Sequence, residues 1–167
     1  SASFMAACDS LLPGRGFDRD SYIAAFVPDS YEFYWTVSPG KVVETLAGYR
    51  DRYWSDERRA QASSLGLTPV QVATIASIAE EETNDRAERG VVARLYLNRL
   101  NKGMKLQADP TVKFAVGDFS LRRITGRHLA ADSRYNTYLY EGLPPGPIRM
   151  PEPATMTALL ESKPHGY

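Results

Sequence analysis

Cysteine is almost absent: Cys8 stands alone among 167 residues, which excludes an intrachain disulfide and any multi-cysteine metal site. That scarcity leaves the redox compartment open. Histidine is nearly as rare, and His128 and His165 have no partner at ligand spacing, so no metal centre is expected. Net charge is missing too. Twenty basic residues balance twenty acidic ones, so no positive field draws the chain to a phosphate backbone, and no nucleic-acid partner is expected. Lysine is sparse within the basic set, at Lys41, Lys102, Lys105, Lys113 and Lys163, and the arginine that dominates suits fork-like pairing with carboxylates. No apolar run approaches the roughly 20 residues that a bilayer-spanning helix needs, and the N-terminus lacks the basic start and apolar stretch of a signal peptide. Internal repeats and low-complexity blocks are absent as well.

What is present suffices for one folded unit: 43% of residues are hydrophobic and 24% charged, at a length that can bury a core. Proline and glycine gather at 13–16, 38–40, 66–69 and 142–153 and divide the helical stretches. A short helix is expected from Ser3 to Leu12, then an aromatic run from Phe26 to Trp35 that reads in part as extended. Ser38 and Pro39 open a long helix with Val42, Val43, Leu46, Tyr49 and Trp54 on its buried face, ending before Gly66. Thr68-Pro69-Val70-Gln71 supplies a hydroxyl cap, a first-turn proline and the Gln of a capping box. Asp85-Arg86-Ala87-Glu88 reads as a second box, opening a helix that runs through Val91 and Leu95 to about Leu100 and stops at Gly103. Asp109-Pro110 reads as cap and first-turn proline of a short helix ending near Gly117, and Pro153 to Glu161 as the last helix. Between Asp118 and Arg149 the pattern suggests turns with short strands.

One carboxylate is out of place in this pattern. Projected at roughly 100° per residue, the helix from Pro69 to Thr83 collects Val72, Ile75, Ile78 and Ala79 on one stripe, with Glu82 in its middle. Glu81 points the opposite way and Glu80 to the flank. A carboxyl on an apolar face loses hydration of its charged form and can hold a proton near neutrality, as a general acid must. The competing reading makes Glu82 a structural acid paired with Arg86, Arg94 or Arg99.

The surrounding residues carry a resemblance. Ile75-Ala76-Ser77-Ile78-Ala79-Glu80-Glu81-Glu82-Thr83 resembles the signature of the MltG/YceG-like endolytic peptidoglycan transglycosylases. Tyr96-Leu97-Asn98-Arg99-Leu100, then Gly103 to Val112, then Asp132 to Tyr138, then Gly142 to Ile148 are similar to that family in the same order. The likeness covers about 26–167, with Pro28-Asp29-Ser30-Tyr31 resembling the start of the family's catalytic domain.

The resemblance implies that Glu82 is the catalytic acid and base, cleaving the MurNAc-GlcNAc β-1,4 bond inside glycan strands and leaving 1,6-anhydroMurNAc ends, with no cofactor. Ordinary glycosidases need a second carboxylate for nucleophile or base, whereas here the muramic acid C6 hydroxyl would close the ring. Substrate-binding candidates are Glu80, in a supporting role, with Gln107, Asp109, Tyr135, Asn136 and Tyr138. Asp109 has an alternative duty as N-cap, and the 135–138 residues as turn and packing groups. Two rival functions stay open: an inverting muramidase with Glu82 and Asp109 as acid and base, and a non-catalytic cell-wall binding module. An aminodeoxychorismate lyase would need a Schiff-base lysine, and no lysine has a matching context. The implied partners are glycan strands and, as candidates, cell-wall synthases. The implied location is the cell envelope, through a membrane anchor on a longer parent whose C-terminal strands would follow Tyr167. The expected fold is α+β and predominantly helical, with a few short strands around a groove; residues 1–25 are expected as a linker or helix segment before a domain at 26–167.

Overall fold

The computed structural model describes residues 1–166, in which eight α-helices follow one another: α1 (Ala2–Leu11), α2 (Pro39–Tyr53), α3 (Asp56–Ser64), α4 (Pro69–Glu82), α5 (Arg89–Asn101), α6 (Asp109–Val116), α7 (Gly126–Leu129) and α8 (Pro153–Leu160). Short 3-10 turns lie at Pro13–Arg15 and Tyr22–Ala25. No strand or sheet occurs among the described residues, so the α+β expectation is corrected to an all-helical fold. The reason is local satisfaction of the backbone between 118 and 149. Asp118 accepts from the Ser120 N–H, and Asn136 Nδ2 donates to the carbonyls of Leu129 and Ala131. Pro144, Pro145 and Pro147 offer no N–H for a ladder.

The expected helix from Ser38 to Gly66 is two helices. Trp54 is buried, and Ser55 starts a new helix by accepting from the Arg58 N–H. Arg58 and Arg59 then donate back to the carbonyls of Tyr53 and Trp54, satisfying the end of α2 with side chains of α3. The capping box of α4 forms as read, with Thr68 and Gln71 exchanging hydrogen bonds. The second box does not. Thr83 and Asp85 spend their oxygens on the N–H groups of Asp85 and Ala87, so 83–88 is a turn and α5 begins at Arg89.

Helix α4 is buried continuously from Val72 to Glu80, against α5, α6 and α8. Ile75, Ile78, Leu97 and Leu159 have no exposed surface, and each such side chain contributes about 1.5–3 kcal/mol. Helices α5 and α8 touch at Gly90, where a Cβ would lie 3.0 Å from that of Ala158. Cys8, Leu12, Phe17 and Tyr22, from the segment read as a linker or helix, belong to the same core. Among the described residues no single helix is long and apolar enough to cross a bilayer.

Candidate active site

Helix α4 closes on Glu80, Glu81 and Glu82, and the buried carboxylate of the three is Glu80, not Glu82. Glu80 Oε1 accepts from the Glu152 N–H at 2.7 Å, and Oε2 lies 3.2 Å from Arg149 Nε. Arg149 Nη1 reaches Glu81 at 3.0 Å. Glu82 is exposed, so the apolar surroundings expected for it are absent. The wheel presumes a helix covered on one side. Because α4 is enclosed all round up to Glu80, periodicity says little about which residue is sealed, and distance from the helix end decides it.

The ion-pair reading of Glu82 finds no support among the described residues. Arg86 goes to Glu152, Arg94 to the Asn98 side chain and the Ser162 carbonyl, and Arg99 to the Lys105 carbonyl and Gln107. What meets Glu82 is a phenol: the Tyr96 hydroxyl donates to Oε2 at 3.3 Å. Burial, followed by the negative charge of Glu82 and this hydrogen bond, holds Tyr96 above the usual phenol range.

Gln107, Asp109 and Tyr138 connect to this end of the molecule through Arg99 and through each other. Gln107 has φ 53°, a left-handed backbone that costs a non-glycine residue about 1–3 kcal/mol. It is held by its N–H on the Thr137 carbonyl (3.2 Å) and by its Oε1 under Arg99 Nη2 (3.1 Å). Ala108 occupies the cap position of α6 without a side-chain bond, so Asp109 is the first helical residue and is relieved of the capping duty expected for it. Its carboxylate lies at the positive end of that helix and accepts from the Tyr138 hydroxyl at 2.6 Å. Tyr138 is pushed up to about 12, first by burial, then by Asp109, with the charge of Glu82 adding to it and Arg99 opposing it. Glu82 thus acts electrostatically on Tyr96 and Tyr138 alike, which gathers α4, α5, the start of α6 and the 135–140 loop into one polar cluster.

The other candidates have structural employment. Asn136 is fully buried and stitches its own turn, also accepting from the Tyr138 N–H. Tyr135 packs on Phe114 with ring centroids 4.6 Å apart and reaches Asp20 at 3.4 Å; burial, then Asp20, pushes it up to about 12. Glu80 has no surface to offer a ligand. It anchors the 142–153 segment instead, helped by Ser77, whose Oγ accepts from the Ile148 N–H at 3.1 Å. Gly146 in that segment abuts the Asp20 backbone so closely that a Cβ would collide with it. Sequence reasoning assigned no role to Tyr96, Arg149 or Ser77. Tyr96 carried a usable signal, since it precedes Arg99 by three residues on the same helical face.

Among the described residues no group of three or more His, Cys, Asp and Glu side chains is placed to hold a metal. An apolar cavity of about 450 Å³, lined by Phe4, Phe26, Tyr31, Leu46 and Met150 among others, shares no residue with this cluster.

Known proteins resemble the chain. A 2.6 Å crystal structure of a yceG-like protein from Listeria monocytogenes superposes with a TM-score of 0.78 at 29% identity, covering 99% of this chain and 55% of that one. An endolytic murein transglycosylase of Bacillus subtilis is 38% identical over 107 residues, 64% of this chain and 28% of the relative. One from Streptococcus pneumoniae is 36% identical over 92 residues, 53% of this chain and 17% of the relative. The chain therefore spans less than a third of the length of these curated relatives. The model of the YceG-like family matches residues 5–167, and the chain belongs to that family.

Proposed function

We propose that the chain carries the catalytic centre of an endolytic lytic transglycosylase acting on peptidoglycan, the activity named for its relatives. The observation that carries this reading is Glu82: an exposed carboxylate with a phenol on one oxygen, whose charge reaches Tyr138 of the Tyr138–Asp109 pair. Protonated Glu82 donates to the glycosidic oxygen between MurNAc and GlcNAc, the bond to the muramic acid anomeric carbon breaks, and an oxocarbenium-like centre forms there. The resulting carboxylate removes the C6 hydroxyl proton, and that oxygen closes on the anomeric carbon to give a 1,6-anhydro end. No water is consumed. A strand lying over Glu82 excludes solvent from an otherwise open site. Gln107, Asp109 and Tyr138 bind sugar hydroxyls and N-acetyl groups, while Glu80 holds the wall. The same reading implies a location outside the cytoplasmic membrane, as part of a longer anchored protein, with cell-wall synthases as candidate partners.

The test is incubation of defined glycan strands with wild type and Glu82→Gln, followed by mass analysis of the new ends. Wild type should give anhydro ends, lighter by one water than reducing ends, and Glu82→Gln should lower cleavage by about 10²–10⁴-fold. Reducing ends would assign a muramidase instead. Cleavage that survives in Glu82→Gln would remove Glu82 from the chemistry.

A further inference from the structure

We infer that Tyr96 is the positioning residue of Glu82, fixing Oε2 and thereby leaving Oε1 as the oxygen that carries the proton; this rests on the transglycosylase reading above. Glu82 sits on the last turn of α4, where an exposed side chain retains most of its rotamer freedom. A carboxyl that swings freely spends little time aimed at a glycosidic oxygen, and one fixed contact removes much of that loss. Tyr96 supplies the contact from the other side of the α4–α5 interface. Tyr96 is buried, 6% exposed, so its hydroxyl is held in place as a donor that Glu82 meets at 3.3 Å.

The contact suits both halves of the reaction. With the proton on Oε1, Oε2 is the carbonyl oxygen of the acid and accepts from the phenol. After the proton has gone to the leaving sugar, Oε2 accepts in the same place, and Oε1 is free to take the C6 hydroxyl proton. No rotation of the carboxyl is required between the steps. Tyr96 gives up no proton in either, and its raised titration keeps it a donor throughout the neutral range. The other charged or titratable groups around Glu82 are committed elsewhere. Arg99, on α5, donates to the Lys105 carbonyl and Gln107; Tyr138, on the 135–140 loop, donates to Asp109 at the start of α6; and Glu81, on α4, takes Arg149.

The experiment uses the intact chain and two variants. Tyr96→Phe keeps the buried ring and removes the hydroxyl alone. It should lower kcat on glycan strands about tenfold while KM stays within about twofold, with the urea midpoint and the far-ultraviolet circular dichroism matching wild type so that the loss is not one of folded protein. In parallel, the protein is labelled with ¹³C at the tyrosine Cζ, and the Tyr96 resonance is identified by its loss in Tyr96→Phe. That resonance should shift between wild type and Glu82→Gln at neutral pH. A Tyr96→Phe protein with wild-type kcat, or a Tyr96 resonance indifferent to Glu82, overturns the inference even when Glu82→Gln is inactive. If Glu82→Gln cleaves as wild type does, Glu82 is removed from the chemistry, and the positioning role of Tyr96 with it.

Discussion

The helix that delivers Glu82 and the wall beside it are held by different forces. Helix α4 is fixed by bulk: Ile75 and Ile78 belong to one buried apolar cluster with Leu97 on α5 and Met156 and Leu159 on α8. The 142–153 wall is fixed by direction: Glu80 grips the Glu152 N–H and Arg149, Ser77 grips the Ile148 N–H, and Gly146 rests on the Asp20 backbone. Apolar burial is non-directional and accumulates with area, whereas hydrogen bonds and backbone contacts set an orientation. A helix can therefore be placed by the first, but a strap of prolines without secondary structure needs the second.

The contrast can be broken from either side. Ile78→Ala should cost about 2–5 kcal/mol, read as a lower urea midpoint for the whole molecule, because the cavity lies at the centre of the core. Glu80→Ala strips a partner from Arg149 and the Glu152 N–H and should cost about 2–4 kcal/mol, with much of the loss appearing as faster amide exchange confined to residues 148–153. If exchange instead rises uniformly over α4, α5 and α8, wall and core are one cooperative unit and the distinction falls. Gly146→Ala should cost about 1–3 kcal/mol through its clash with Asp20, with exchange rising at Ser21 and Ile148 before it rises in the helices.

The smallest effect concerns Tyr138 and high pH. Tyr138 titrates near 12 in the folded chain, above the ordinary phenol value of about 10, so its neutral form is favoured by folding. That contribution is complete below about pH 10 and fades as pH climbs toward 12. Tyr138→Phe should therefore lose stability less steeply than wild type over that window in urea titrations. Tyr135 titrates in the same range and leaves a residual slope in both proteins.

Legibility in the sequence followed the range of the interactions. The start of α4 could be read because Thr68, Pro69 and Gln71 settle it among themselves. The break between α2 and α3 could not, since it depends on Arg58 and Arg59 folding back onto carbonyls and on the burial of Trp54. Strands were expected where turn side chains had already satisfied the backbone. Within the site, the residue types were visible, and Gln107, Asp109 and Tyr138 do gather with Glu82 around Tyr96 and Arg99. The exchange of burial between Glu80 and Glu82 was invisible, because it reflects how far the neighbouring helices extend along α4, which no window of the chain encodes.

Gln107 shows where the molecule gives up comfort. Its left-handed backbone would suit glycine without penalty, yet an amide sits there, drawn taut between Thr137 and the guanidinium of Arg99. Glycine in its place would ease the chain and take the amide from Arg99. At this residue ease of the backbone and the hold on Arg99 and Thr137 pull in opposite directions, and the sequence favours the second.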